Sequence, residues 1–293
     1  MAHSCRIMEA LPPGYVLIVH HGVKHVQKAA KDLYDHIRED PDGNQYMVVL
    51  GMTPNTRYKL DNDKNILDGV PFRFQWEEDT GLIKVIPGWE HDQVTDRIRG
   101  EIQEKCRDVM RLSKDDYSFG GTTTHRPPGG NRGKQPDQCL WPRTRLGERG
   151  VGPEWPTLVI ETGGTESLPR LHEDVKWWFE NSRGDVRIGL VVKISLSTRK
   201  STIEKWQLAS PGPPRPVTRG AERQLPHLPP PRVQQAAAEQ QPFIAQVITI
   251  SDHTVIGAPL VLNFHAVMDR RPQRNERDIE LDADDLLFCF KMV

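Results

Sequence analysis

KQPDQCLWPR at 134–143, WPTLVIETGG at 155–164, SLPRLHEDVKWWFENS at 167–182 and GDVRIGLVVKI at 184–194 are the segments on which the fold turns. Asp137 follows a proline at the head of one apolar run, and Leu158, Val159 and Ile160 form a second run that ends on Glu161. A short, continuous apolar run of that kind is typical of a strand covered on both faces. Leu171, Val175, Trp178 and Phe179 recur at helical spacing over Leu168–Asn181, a segment that also carries Lys176. Val186, Ile188, Leu190, Val192 and Ile194 alternate at a strand's period of two, the clearest strand signal in the chain. Two carboxylates and a lysine are the minimum equipment for holding a divalent metal and an activated water. Each residue also has a plain reading: aspartate after proline is turn chemistry, Glu161 ends a strand, and Lys176 is a solvated helix position.

Upstream, FRFQWEEDTGLIKVI (72–86) alternates Phe72, Phe74 and Trp76 with Arg73, Gln75 and Glu77, and turns at Asp79–Gly81, which predicts a β-hairpin. The spacing of Val94, Ile98, Ile102 and Val109 predicts a helix over His91–Leu112, with Glu101 on or beside its buried stripe. Tyr117–Thr124 reads as a strand. HRPPGGNRG after it is a glycine- and proline-rich loop, and its Arg126 and Arg132, with Lys134, form a local basic patch able to touch a phosphate backbone. Further upstream, Tyr15–Val19 reads as a strand, Val26, Ala30, Leu33 and Ile37 mark a helix over Val23–Arg38, and QYMVVLGM is a second strand.

Downstream, residues 210–241 are so rich in proline and polar groups that they bury too little apolar surface to offset ordering entropy; a disordered, partly polyproline II insertion is expected. PFIAQVITI and APLVLNFHAVM read as two strands extending the sheet, and the acidic tail as a short helix with Asp282 as N-cap.

The composition bounds what the partners can be. With 37% hydrophobic residues, 24 prolines and 23 glycines, the packed core is expected to take about two-thirds of the 293 residues. A net charge of −1 provides no global basic field for nucleic acid, so such a partner needs the local patch. Cys5, Cys106, Cys139 and Cys289 include no C-x-x-C pair, which argues against a disulfide framework or a zinc site and for a reducing compartment. Neither a secretory signal nor a run of roughly 20 apolar residues is present, so an intracellular protein, cytoplasmic or nuclear, is expected.

From His91 to Ile194 the order is helix, strand, strand with Asp137, strand with Glu161, helix with Lys176, strand. This order resembles the PD-(D/E)XK nuclease superfamily. Pro136 and Asp137 carry the first element of its motif, and Glu161 in VIETG carries the acid of the second. The superfamily's lysine normally stands two residues after that acid, where this chain has Gly163. One branch carries the lysine in the following helix instead. The chain resembles that branch in the hairpin leading to Pro87, Gly88 and His91, and in Lys176; it is also similar to stand-alone fungal members. The resemblance implies an α/β fold with a restriction-endonuclease-like core, a mixed central sheet flanked by helices. Its divisions would be an appended layer (1–70), the core (71–205), the disordered Pro-rich insertion (206–241), and strands and a short helix completing the core (242–293).

The resemblance further implies a nuclease that hydrolyses DNA phosphodiesters. Asp137 and Glu161 would hold Mg²⁺, or Mn²⁺, Lys176 would orient the attacking water, and Glu101 would be the acid that many members supply from the first helix. Lys193, on the face of its strand opposite Val192 and Ile194, is the second choice of lysine, and His172 shares a helix face with Lys176. Gly163 and the neutral net charge favour a different class, a non-catalytic binding or interaction module. A carbohydrate enzyme using Glu101 and Glu161 as an acid/base pair has no supporting motif.

Overall fold

The structure, a computed structural model, describes residues 6–40, 42–86, 88–121, 123–147, 154–164, 167–208, 241–251, 253–273 and 275–291. In chain order its elements are β1 (Val16–Val19), α1 (Val23–Glu39), β2 (Tyr46–Leu50), α2 (Pro54–Asn62), β3 (Phe72–Glu77), β4 (Thr80–Val85), α3 (Trp89–Glu104), β5 (Tyr117–Phe119), β6 (Arg132–Lys134), β7 (Gln138–Pro142) and β8 (Leu158–Gly164). They continue with α4 (Leu168–Asn181), β9 (Ile188–Ile194), β10 (Lys200–Leu208), β11 (Pro242–Ser251), β12 (Thr254–Ile256), β13 (Leu260–Leu262), α5 (Phe264–Met268), β14 (Ile279–Leu281) and α6 (Ala283–Phe290). The expected α/β class, mixed sheets flanked by helices, is what these elements form.

Seven strands make the larger sheet in the order β12-β11-β10-β9-β8-β7-β5. Only β8 and β9 run parallel within it, as the helical crossover α4 between them requires. The α4 face of this sheet is apolar: Leu171, Val175, Trp178 and Phe179 pack on Cys139, Trp141, Val159 and Val191. Burying each large side chain contributes about 1.5–3 kcal/mol. The other face is covered by α3, through Val94, Ile98 and Ile102, and by the carboxy-terminal elements.

The hairpin β3–β4 belongs to a second, five-stranded sheet in the order β1-β2-β4-β3-β6. Phe72, Phe74, Trp76, Ile83 and Val85 lie on its face toward α1 and meet Val26, Ala30, Leu33 and Ile37. Alternation sends Arg73, Gln75 and Lys84 to the opposite face. That face meets the seven-stranded sheet, and Lys84, Gln75 and most of Arg73 are enclosed there.

Three local expectations are corrected. The helix expected over His91–Leu112 is regular only to Glu104; one π turn, Lys105–Val109, follows. A π turn takes more residues than an α turn and so rotates the stripe. Val109 is therefore 43% exposed, while Cys106 and Met110 take the buried side. APLVLNFHAVM is a three-residue strand and then a short helix, because the Asn263 side chain accepts the Ala266 N–H and caps it. The pair β13–β14 forms a separate two-stranded sheet, so of the late strands only β11 and β12 extend the large one. The tail helix forms as expected, with Asp282 and Asp285 making a reciprocal capping box. Residues 209–240 of the expected insertion lie outside the described residues; β10 runs to Leu208 and pairs with β11 from Pro242.

Candidate functional site

Antiparallel pairing sets Gln138 opposite Ile160, so Asp137, just before β7, and Glu161, on β8, come together at neighbouring strand ends on the α4 side. The Thr162 N–H donates to Asp137 Oδ2 at 2.8 Å, which fixes that carboxylate against β8. Trp178 Nε1–H donates to Glu161 Oε1 at 2.6 Å, tying the second carboxylate to α4. Both side chains are enclosed, Asp137 at 0% and Glu161 at 2% exposure. Buried carboxylates need partners, and the five-stranded sheet supplies them.

Lys84 Nζ donates to Asp137 Oδ2 at 2.6 Å and to the Thr162 carbonyl at 2.5 Å, and lies 3.9 Å from Glu161 Oε2. Arg73 Nε makes an ion contact with Asp137 Oδ1 at 3.3 Å, without hydrogen-bond geometry. His91 Nε2 lies 2.9 Å from the Thr162 carbonyl and 3.6 Å from Asp137 Oδ2; since a carbonyl only accepts, this nitrogen carries the proton. Lys134, on β6, donates to Asp174 at 2.6 Å and approaches Glu161 Oε1 to 3.5 Å. Arg170 donates to Asp174 and Gln75, and also to the carbonyls of Ile7 and Glu9, so the amino-terminal segment is tied to the same network.

Three carboxylates thus meet two lysines and two arginines in one closed cluster. Burial alone would raise the Asp137 carboxyl, but Lys84 and His91 outweigh it and hold it well below the usual range. Asp174 is likewise lowered, because Arg170 and Lys134 outweigh its burial. Glu161 goes the other way: burial pushes it up, and the charge of Asp174 works against the help of Lys134. Burial works to lower the His91 imidazole, yet the Asp137 charge and hydrogen bonding raise it. Tyr46, whose buried hydroxyl has no hydrogen-bond partner among the described residues, is raised well above its usual value, by burial first and by Asp174 next.

The space among Tyr46, Arg73, Lys84, Lys134, Glu161 and Asp174 amounts to about 10 Å³, close to what a single water centre needs. A wider cleft of about 500 Å³ opens beside it, lined by Arg38, Glu90, Gly163 and Gly164 among others. His91 borders that cleft and also reaches the Asp137 cluster.

Lys176 stands apart from the centre, paired with Glu173 at 2.7 Å and 36% exposed at the helix surface. Glu101 lies against α6, where burial and the Asp285 charge raise its carboxyl. His172 lies 2.8 Å from Glu204, which Trp206 also contacts, and Lys193 adds its charge to that group. The expected basic patch is corrected at Lys134. Lys134 is buried in the ion cluster, Arg126 pairs with Asp61, and Arg132 lies 3.6 Å from Glu77. Of the three, Lys134 is drawn inward, by Asp174 and Glu161, while the Arg126 and Arg132 side chains stay 52% and 42% exposed.

Mg²⁺ takes oxygen ligands at about 2.0–2.1 Å in near-octahedral order. Here the oxygens that could serve already surround an ammonium, and among the described residues no three His, Cys, Asp or Glu side chains converge as a metal-holding group. The centre as arranged does not fit Mg²⁺.

Behind Glu161 stands an aromatic wall. His125 is stacked on Trp155 and set edge-on to Trp178, and burial lowers its pKa to about 4. In the unfolded chain a histidine titrates near 6.5, so between these values the unfolded state binds the extra proton and acid favours unfolding. The contribution is complete above pH 6.5 and is lost as pH falls toward 4, a difference of about 3 kcal/mol. His91, being raised, works in the opposite direction. Urea midpoints should therefore fall between pH 7.5 and 4.5 in the parent protein and fall markedly less in His125→Phe. An equal fall in both would remove His125 from the explanation.

No protein-family model matches the chain, and no curated protein matches it. Among the helices of the described residues, none is long and apolar enough to cross a membrane. Among solved structures the chain is similar to a crystal structure from Anabaena variabilis ATCC 29413 described as a "putative nuclease belonging to DUF820". The identity is 12%, over 74% of this chain and 90% of that one, with a TM-score of 0.39.

Proposed function

We propose that this chain is a non-cleaving protein of restriction-endonuclease-like fold, in which the carboxylate centre has become the clamp between two sheets and function has passed to binding. One observation carries this reading: Asp137 and Glu161 are enclosed and already paired with Lys84 and Lys134, and the space of about 10 Å³ that Glu161 borders admits no phosphodiester. The cleft of about 500 Å³ beside His91 is the cavity nearest the centre that could take a ligand, a volume within the usual range of small-molecule sites. The test is incubation of the full chain with plasmid and single-stranded DNA in Mg²⁺, Mn²⁺ or EDTA. No cleavage above buffer is expected; cleavage that disappears in Asp137→Asn and Glu161→Gln would overturn the proposal.

A second reading, Mg²⁺-dependent DNA cleavage, is favoured by one feature. Asp137, Glu161 and the Thr162 carbonyl converge on a single cation position, with Lys134 beside it. It requires Lys84 to leave that position and the amino-terminal sheet to part from α4, and the same assay decides it.

A further inference from the structure

Lys84 enters the centre from the next-to-last position of a strand in which every residue is buried. Its ammonium meets oxygens from two separate segments: Asp137 Oδ2 at 2.6 Å, the Thr162 carbonyl at 2.5 Å and Glu161 Oε2 at 3.9 Å. Two carboxylates and a backbone carbonyl are the donors a hard divalent cation takes. An ammonium is a compact point charge with three donors, so it can satisfy the same oxygens from one centre. Buried at 6% exposure and hydrogen-bonded on two sides, it is held there by the fold. Arg73, Lys134 and Arg170 bring the cluster to a surplus of positive charge, which makes a further dication unfavourable while Lys84 stays.

We propose that Lys84 is the resident cation of this centre: it stands where a divalent metal would be held, keeps metal out, and covers a latent site formed by Asp137, Glu161 and the Thr162 carbonyl. The inference deepens the reading of Asp137 and Glu161 as a former metal centre, and it concerns what occupies that centre, whether or not DNA is cut.

The experiment is Mn²⁺ binding to the full chain, followed by loss of the free-ion electron paramagnetic resonance signal and by thermal unfolding in Mn²⁺ or EDTA. The parent protein should take up no Mn²⁺ and show the same midpoint in both. Lys84→Ala should bind the ion, with a midpoint rise of about 5–11 °C at a concentration a hundredfold above its Kd. Lys84→Ala combined with Asp137→Asn should bind none. Should the alanine protein fail to fold in EDTA, refolding in Mn²⁺ and the milder Lys84→Gln give the same readout. Asp137-dependent uptake by the parent protein overturns the proposal, as does the absence of both uptake and midpoint shift in the two Lys84 variants. Cleavage is not among these readouts, so the two failures are distinguishable: absent cleavage leaves the functional proposal standing even where Mn²⁺ uptake by the parent overturns this one.

Discussion

Asp137→Ala should destabilise the protein by about 3–5 kcal/mol, the cost of breaking a buried ion pair by removing one partner. The substitution strips Lys84 of its 2.6 Å acceptor and leaves Arg73 and His91 facing a cavity. It also orphans the Thr162 N–H, which donates to the same carboxylate at 2.8 Å. At about 2–4 °C per kcal/mol for a domain of this size, the thermal midpoint should drop by roughly 6–20 °C. Removing Lys84 as well takes away the stranded charge, so the Asp137→Ala/Lys84→Ala protein should lose less than the sum of the two single losses, by about 1–3 kcal/mol. A catalytic carboxylate behaves differently, since its removal abolishes turnover while stability holds or rises. An unchanged midpoint in Asp137→Ala would therefore defeat the clamp.

Gly163→Lys, which places a lysine where the superfamily's usual pattern has one, should cost about 2–4 kcal/mol and restore no cleavage. A Cβ at this position would lie 2.5 Å from Ser167 Oγ and 3.2 Å from a methyl of Leu171. Ser167 is not free to yield at no cost, because its hydroxyl donates to the Gly164 carbonyl at 2.6 Å. The ammonium would then enter a region where Lys84 and Lys134 already serve the carboxylates. Urea unfolding measures the loss, and Gly163→Ala separates the Cβ contact from the charge: the alanine variant should show about 1 kcal/mol of it, as mild overpacking does. Equal losses in the two variants would show that the added charge is accommodated.

Much of the fold was legible because it rests on local periodicity. The 3.6-residue stripes of α1, α3 and α4, the alternation of β9, the turn chemistry of the β3–β4 hairpin and the Asp282 cap each follow from neighbours in the chain. The pair Asp137 and Glu161 was legible by resemblance, from the order of the elements that carry them, and the antiparallel pairing of β7 with β8 brings the two together. Signals for the rest of the centre were present but went unread. Lys84 lies between Ile83 and Val85 in a run that reads as a covered strand, where a lysine needs an anion. Arg170, Asp174 and Trp178 follow one another at i, i+4 on the face of α4 that meets the sheet, a spacing that places two charges beside a buried indole.

What the sequence by itself determined is the set of strongly periodic elements, and, through the family that their order resembles, the expectation that Asp137 and Glu161 meet. Only the tertiary structure decided what those carboxylates do. The polar side of the hairpin, Arg73, Gln75 and Lys84, has the pattern of a solvent face, and in an isolated sheet it would be one. Docked against α4 it becomes the cation supply of a buried centre, because charges removed from water from two directions must satisfy one another. For the same reason Lys176, which has water and Glu173 within reach, stays at the helix surface. Which lysine meets Asp137 and Glu161 was decided by the packing of one sheet on another, and that is long-range information the spacing of residues along the chain does not carry.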